Sequence, residues 1–195
     1  MKDVLVLLDN GHGVDTGGKR SPVWQNGTQL FEYEFNRDVV QRIAELLQKE
    51  GVRVRVLVPE IKDIKLPERC RRANAIYQQE GGKVIMLSIH ANAGGGTGWE
   101  WYTSPGKTES DNIATVICNQ FEKDFPERKM RFDYSDGDPD KEAKFYILMH
   151  FVGPVVLTES FFMDTPEDCE LILSDKGRQR VAESHARAIV KYLNS

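Results

Sequence analysis

Five apolar residues in a row, Val4–Leu8, run into Asp9-Asn10-Gly11. That is the pattern of a buried strand closed by a turn. Residues 14–30 are rich in Gly, Ser, Thr, Asn and Gln and read as a long loop. From Phe35 the apolar positions Phe35, Val39, Val40, Ile43, Leu46 and Leu47 form one stripe of a helix that Gly51 ends. Val52–Val58 alternates Val and Leu with Arg, a strand with one wet side. Pro67 suits the first turn of a helix to about Glu80. Val84–Ile89 is a second buried strand, closed by His90-Ala91-Asn92, and Trp99–Tyr102 a short third. A helix over Asp111–Phe125 precedes a charged loop, 126–143, carrying Pro126, Gly137 and Pro139. Phe145–Met149 and Val155–Glu159 are strand-like. Thr165-Pro166-Glu167-Asp168 opens a helix with a cap residue, an N1 proline and first-turn acids, and a last helix runs from about Lys176 to Leu193.

Strands alternating with helices predict an α/β fold, a three-layer sandwich whose mostly parallel mixed sheet is flanked by helices. The 195 residues contain no repeat or linker, so residues 1–195 are expected to form a single domain. Hydrophobic residues at 40% and charged residues at 29% exclude a disordered chain. A formal charge of −4 gives no overall footprint for nucleic acid. Cys70, Cys118 and Cys169 are odd in number and widely spaced, which predicts buried free thiols and not a disulfide framework. Val4–Leu8 is too short for a membrane span or a signal segment.

Chemistry collects where strands end. In open α/β sheets, ligands bind beyond the carboxyl ends of the strands. Here three buried strands lead into His12, His90 and Glu159. Each alone has an ordinary structural reading; if the strands are parallel neighbours, the three converge on one sheet edge and a site competes evenly with that reading. Two imidazoles with one carboxylate form a catalytic zinc set with a position left for water, whose pKa zinc lowers toward ~7. The third ligand is expected near the junction of loop and helix, where Glu32 and Glu34 compete; Asn36 shares the face of Glu32. A base that is not a ligand is also required, and Glu159 fits. Other candidates are weaker. The serines lack a nucleophile elbow, and Gly94-Gly95-Gly96 lacks the Lys-Ser/Thr of a phosphate loop. His185 is expected at the edge of a helix face and His150 at the border of the cleft. Trp24, Trp99 and Trp101 suit either a substrate groove or the core.

With these residues in place, the chain resembles the zinc-dependent N-acetylmuramoyl-L-alanine amidases of bacterial autolysins and phage endolysins. The resemblance runs from Val4 to Leu193. Leu8-Asp9-Asn10-Gly11-His12-Gly13 matches the family's D-P-G-H-G segment, and Leu30-Phe31-Glu32 with Asn36 its L-K-E-x-x-x-N segment. Arg69 and Ala73-Asn74 match L-x-x-R…A-N, and Ser88-Ile89-His90-Ala91-Asn92 matches S-I-H-A-N. Val155–Phe162 and Pro166-Glu167-Asp168 match the last strand end and the N-P-E-D helix start.

The resemblance implies His12, Glu32 and His90 as Zn2+ ligands, selecting Glu32 over Glu34, and Glu159 as the catalytic glutamate. It implies hydrolysis of the amide between N-acetylmuramic acid and the L-alanine of the peptidoglycan stem peptide, outside the cytoplasm. Two other readings use the same residues: a zinc peptidase or other amide hydrolase, and a catalytically silent wall-binding relative. The sequence names no substrate-binding residue and no oligomeric state. Asn10 and Val14 depart from the family's Pro and Gly, and Ser160-Phe161 replaces a small pair, which predicts a bulkier wall beside Glu159. Segment 126–143 is too short to plug the site, so an uncovered cleft is expected.

Overall fold

The computed structural model describes residues 2–195. Along the chain lie β1 (Leu5–Asn10), α1 (Glu32–Lys49), β2 (Arg53–Val56), α2 (Leu66–Gln79), β3 (Val84–Asn92), β4 (Trp99–Thr103), α3 (Glu109–Asp124), β5 (Lys141–Glu142), α4 (Tyr146–His150), β6 (Val155–Phe162), α5 (Pro166–Leu173) and α6 (Asp175–Leu193). The strands form one sheet in the order β2-β1-β3-β6-β4-β5. Its pairs are parallel except β4 with β6. This is the mostly parallel mixed sheet expected from the alternation of strands and helices.

Strand alternation sorts the side chains into two layers. Val6, Leu8, Ile85, Leu87, Ile89, Val156, Trp99 and Trp101 pack under α1, α3, α5 and α6. Leu5, Leu7, Val84, Met86, Val155 and Leu157 pack under α2 and α4. Because β1, β3 and β6 are buried on both faces, they read as continuous apolar runs. β2, at the sheet edge, keeps the alternation that its arginines announced. Following the second set one step further along each strand gives Asp9, Ser88, His90 and Glu159. The sheet thus delivers its polar residues to one face at one end.

Several elements depart from the sequence expectation. β1 and β3 continue through their polar ends, so Asp9, Asn10 and His90 to Asn92 belong to strands, held by the ladder with β3 and β6. Phe145–Met149 is not a strand: Tyr146–His150 is a short helix. It lays Ile147 and Leu148 on the α2-side core and leaves Phe145, Tyr146 and Met149 exposed. Thr165 takes the N-cap position of α5 without capping; its hydroxyl donates to the Gly96 carbonyl at 2.6 Å. The three cysteines are free and buried, as expected. No helix among the described residues is long and apolar enough to cross a membrane.

Candidate active site

β1 feeds directly into Gly11-His12-Gly13. His12 has φ +62°, a left-handed conformation uncommon for a residue with a side chain. Both flanking glycines are required by close approach. A Cβ on Gly11 would overlap the imidazole of His90, and one on Gly13 would overlap the backbone of residues 62 and 63. The glycines let two segments close around His12, which accounts physically for the G-H-G pattern.

Glu32 opens α1, two residues after the long loop. Its backbone N–H donates to the Lys19 carbonyl at 3.0 Å. Two acids in the first turn suit the positive end of the helix. One turn on, Asn36 Nδ2 donates to the Gly11 carbonyl at 3.0 Å, tying α1 to the His12 loop. Glu32 Oε1 lies 3.0 Å from His90 Nδ1 and 3.3 Å from His12 Nε2. The two imidazoles stand edge to face at 5.0 Å. Burial opposes ionisation of Glu32, yet hydrogen bonds with His12 and His90 outweigh it and hold the carboxyl far below the usual carboxylate range.

These three side chains offer ligand atoms that all lie within 4.8 Å of one another. Glu32 Oε2 is buried with no hydrogen-bond partner in the protein, an unmet demand that a cation would satisfy. Two nitrogens and one carboxylate oxygen suit a divalent transition metal. Glu34 is exposed and takes no part, its carboxylate accepting from the neighbouring Tyr33 hydroxyl.

Glu159 stands opposite His90 in the β3–β6 register and opposite Glu100 in the β4–β6 register. Burial pushes its carboxyl up to about 7; His90 pulls it back and Glu32 adds to the rise. Glu100 behaves in the contrary way. Burial opposes its charge, but Lys141, Asn92 and Tyr102 bond the carboxylate and lower its pKa. Arg131 adds a fourth contact at 2.9 Å. Two facing carboxyls are therefore driven apart, one fixed as an anion and the other able to gain and lose a proton near neutrality.

The cleft over this face has a volume of roughly 400 Å³ and is walled by Ile64, Leu66, Phe145, Tyr146 and Lys19. It is open: the side chains of His12 and His90 keep 19% and 14% of their surface exposed. The tryptophans do not line it. Trp99 and Trp101 are core residues packed on Phe121, and the Trp24 indole N–H points at Cys169 Sγ. His185 is fully buried between the Val181 carbonyl and the Thr158 hydroxyl. His150 ends α4, stacked on Tyr146 at 3.8 Å, outside the cleft lining. The bulkier wall expected from Phe161 is absent. Phe161 has φ +68°, which turns its ring to the opposite layer against Trp99 and Phe125. Sequence reasoning missed Glu100, though its signal was present: Trp-Glu-Trp on a strand sends the acid to the face that the core tryptophans leave.

Known proteins resemble this chain along nearly its whole length. The family described as N-acetylmuramoyl-L-alanine amidase matches residues 6–191. The N-acetylmuramoyl-L-alanine amidase CwlM of Bacillus licheniformis is 31% identical over 194 residues, covering 98% of this chain and 69% of that protein. The structure of an N-acetylmuramoyl-L-alanine amidase from Clostridium difficile 630 superposes with a TM-score of 0.82 at 23% identity, covering 100% of this chain and 99% of that one. The amidase AmiC2 of Nostoc punctiforme gives 0.81 at 25% identity over 99% and 98% of the two chains. From end to end, in order and in fold, this chain belongs to the N-acetylmuramoyl-L-alanine amidase family.

Proposed function

We propose that residues 1–195 act as one catalytic unit, a zinc-dependent hydrolase of the amide joining N-acetylmuramic acid to the L-alanine of the stem peptide. The observation that carries this reading is the meeting of His12, Glu32 and His90, remote in sequence, beside a protonatable Glu159. His12, Glu32 and His90 would hold the Zn2+. Bound there, zinc supplies Lewis acidity to water and to the scissile carbonyl.

The chain's own residues do the rest. Glu159, with Oε2 buried and free of any hydrogen-bond partner, accepts a proton from water and returns it to the leaving L-alanine nitrogen. Burial favours the neutral form of this carboxyl, which promotes its taking up a proton. Glu100, its charge fixed by Lys141 and Arg131, disfavours a second anion beside it and so helps keep Glu159 protonatable. Leu66, Phe145 and Tyr146 offer apolar walls for the substrate. Family membership supports peptidoglycan as substrate and a site of action at the cell wall, outside the cytoplasm.

Glu159→Ala tests the assignment. It is expected to bind zinc like the parent and unfold cooperatively, while release of stem peptides falls by at least about a hundredfold, the usual scale for a lost acid–base group. Mass spectrometry of the muropeptides reads the result. Undiminished release would exclude Glu159 from proton transfer. Cleavage within the stem peptide instead of at its L-alanine would favour the peptidase reading.

A further inference from the structure

Two arginines from separate helices reach the backbone of His12. Arg37 Nη1 donates to the His12 carbonyl at 2.9 Å and Arg69 Nη2 at 3.2 Å. Arg69 is only 2% exposed. Its five N–H groups all find acceptors: Nε meets the Ile64 carbonyl, Nη1 meets Asp9 Oδ1 and the Asn10 carbonyl, and Nη2 meets the His12 carbonyl and Asp63 Oδ1. Asp9 is steadied in turn by the Ser88 hydroxyl at 2.7 Å. Arg37 Nη2 donates to the Glu60 carbonyl at 2.7 Å, linking α1 to the segment before α2.

This arrangement has a cost that stability alone does not explain. Burial and the neighbouring Arg69 both work against the charge on Arg37. His12 holds a left-handed backbone, a strained conformation for a residue with a Cβ. The fold nevertheless brings two like charges to one carbonyl, and that carbonyl belongs to the residue whose backbone is strained. The contacts hold the carbonyl of the peptide after His12, the backbone from which the imidazole facing Glu32 projects.

We infer that Arg37 and Arg69 are positioning residues that clamp the His12 carbonyl, so that metal affinity depends on two guanidiniums that touch no metal. The inference rests on the metal-site reading above and adds the groups that preorganise it. Groups that orient a metal ligand without touching the ion typically carry 10- to 100-fold in affinity. Asp9 and Asp63 pair with Arg69 and also favour the charge on Arg37, offsetting the positive charge beside the metal site.

The test is zinc affinity, measured by competition with a chromophoric chelator on the whole chain, with thermal unfolding of the metal-free proteins alongside. Arg37→Ala is expected to weaken zinc binding about tenfold and Arg69→Lys about ten- to a hundredfold. Arg37→Lys should recover part of the loss, since one donor returns. Arg42→Ala, on the same helix but paired with Asp38 and Asp175, should leave affinity unchanged. Hydrolysis by Arg37→Ala should recover at saturating zinc, which a general loss of structure would not allow. If Arg69→Lys lacks a cooperative transition, Arg37→Ala decides alone. Parental affinity in folded variants would overturn the clamp, whereas a parent that binds no zinc would overturn the metal-site reading and the clamp with it.

Discussion

Phe161 shows how one backbone angle shapes the site. Strict alternation along β6 would place it on the face of Glu159 and Leu157, crowding the cleft. Its left-handed φ sends the ring into the core instead, at the cost of strain. The sequence revealed that a bulky residue stands where the family has a small one, but not where the ring goes, because alternation is a rule about extended backbone. The strain predicts an inverted order of stabilities. Phe161→Ala is expected to cost about 3–5 kcal/mol for the lost ring, and Phe161→Gly about 1 kcal/mol less, because glycine relieves the strained angle. Glycine ordinarily ranks below alanine, so urea unfolding of the two variants distinguishes the cases. A glycine variant less stable than the alanine one would contradict the strain. His12 shares the left-handed angle, yet its flanking glycines made the tight turn legible in advance.

At the scale of elements, the long periodic stretches were readable and the short ones were not. The stripe from Phe35 to Leu47 is a helix because six apolar positions repeat on one side. Five apolar or aromatic residues from Phe145 fit strand and helix equally, and only packing on α2 decides for the helix. His185 links two elements, α6 and β6, through the Thr158 hydroxyl. Burial drives its pKa down to about 4, so the folded protein holds it neutral. The unfolded chain takes up that proton below about 6.5, and the fold does so only near 4. The stability this contributes is therefore complete above pH 6.5 and is lost as pH falls toward 4. Between pH 7 and pH 5 the metal-free protein should lose about 2 kcal/mol more than its His185→Gln variant. Equal losses in urea titrations at the two pH values would contradict a neutral buried imidazole.

Across the whole molecule, the site is a consequence of topology. Parallel β1, β3 and β6 carry Asp9, His90 and Glu159 to one edge, and α1 begins there with Glu32. Strand ends could be read from the sequence, and so could three of the four groups; the choice of Glu32 over Glu34 needed the family's pattern, because spacing near a helix start leaves both within reach. The exposed cleft wall and the role of Glu100 needed the assembled sheet, since antiparallel β4 sets Glu100 opposite Glu159 across a long gap in sequence. On the proposed reading, hydrolysis at the edge of the sheet depends on a metal held by His12, Glu32 and His90. The most direct measurement is mass spectrometry of muropeptides digested by EDTA-treated protein before and after zinc is returned. No cleavage is expected before, and afterwards stem peptides with free L-alanine amino ends alongside uncut glycan strands. Full cleavage by the metal-stripped protein would contradict it.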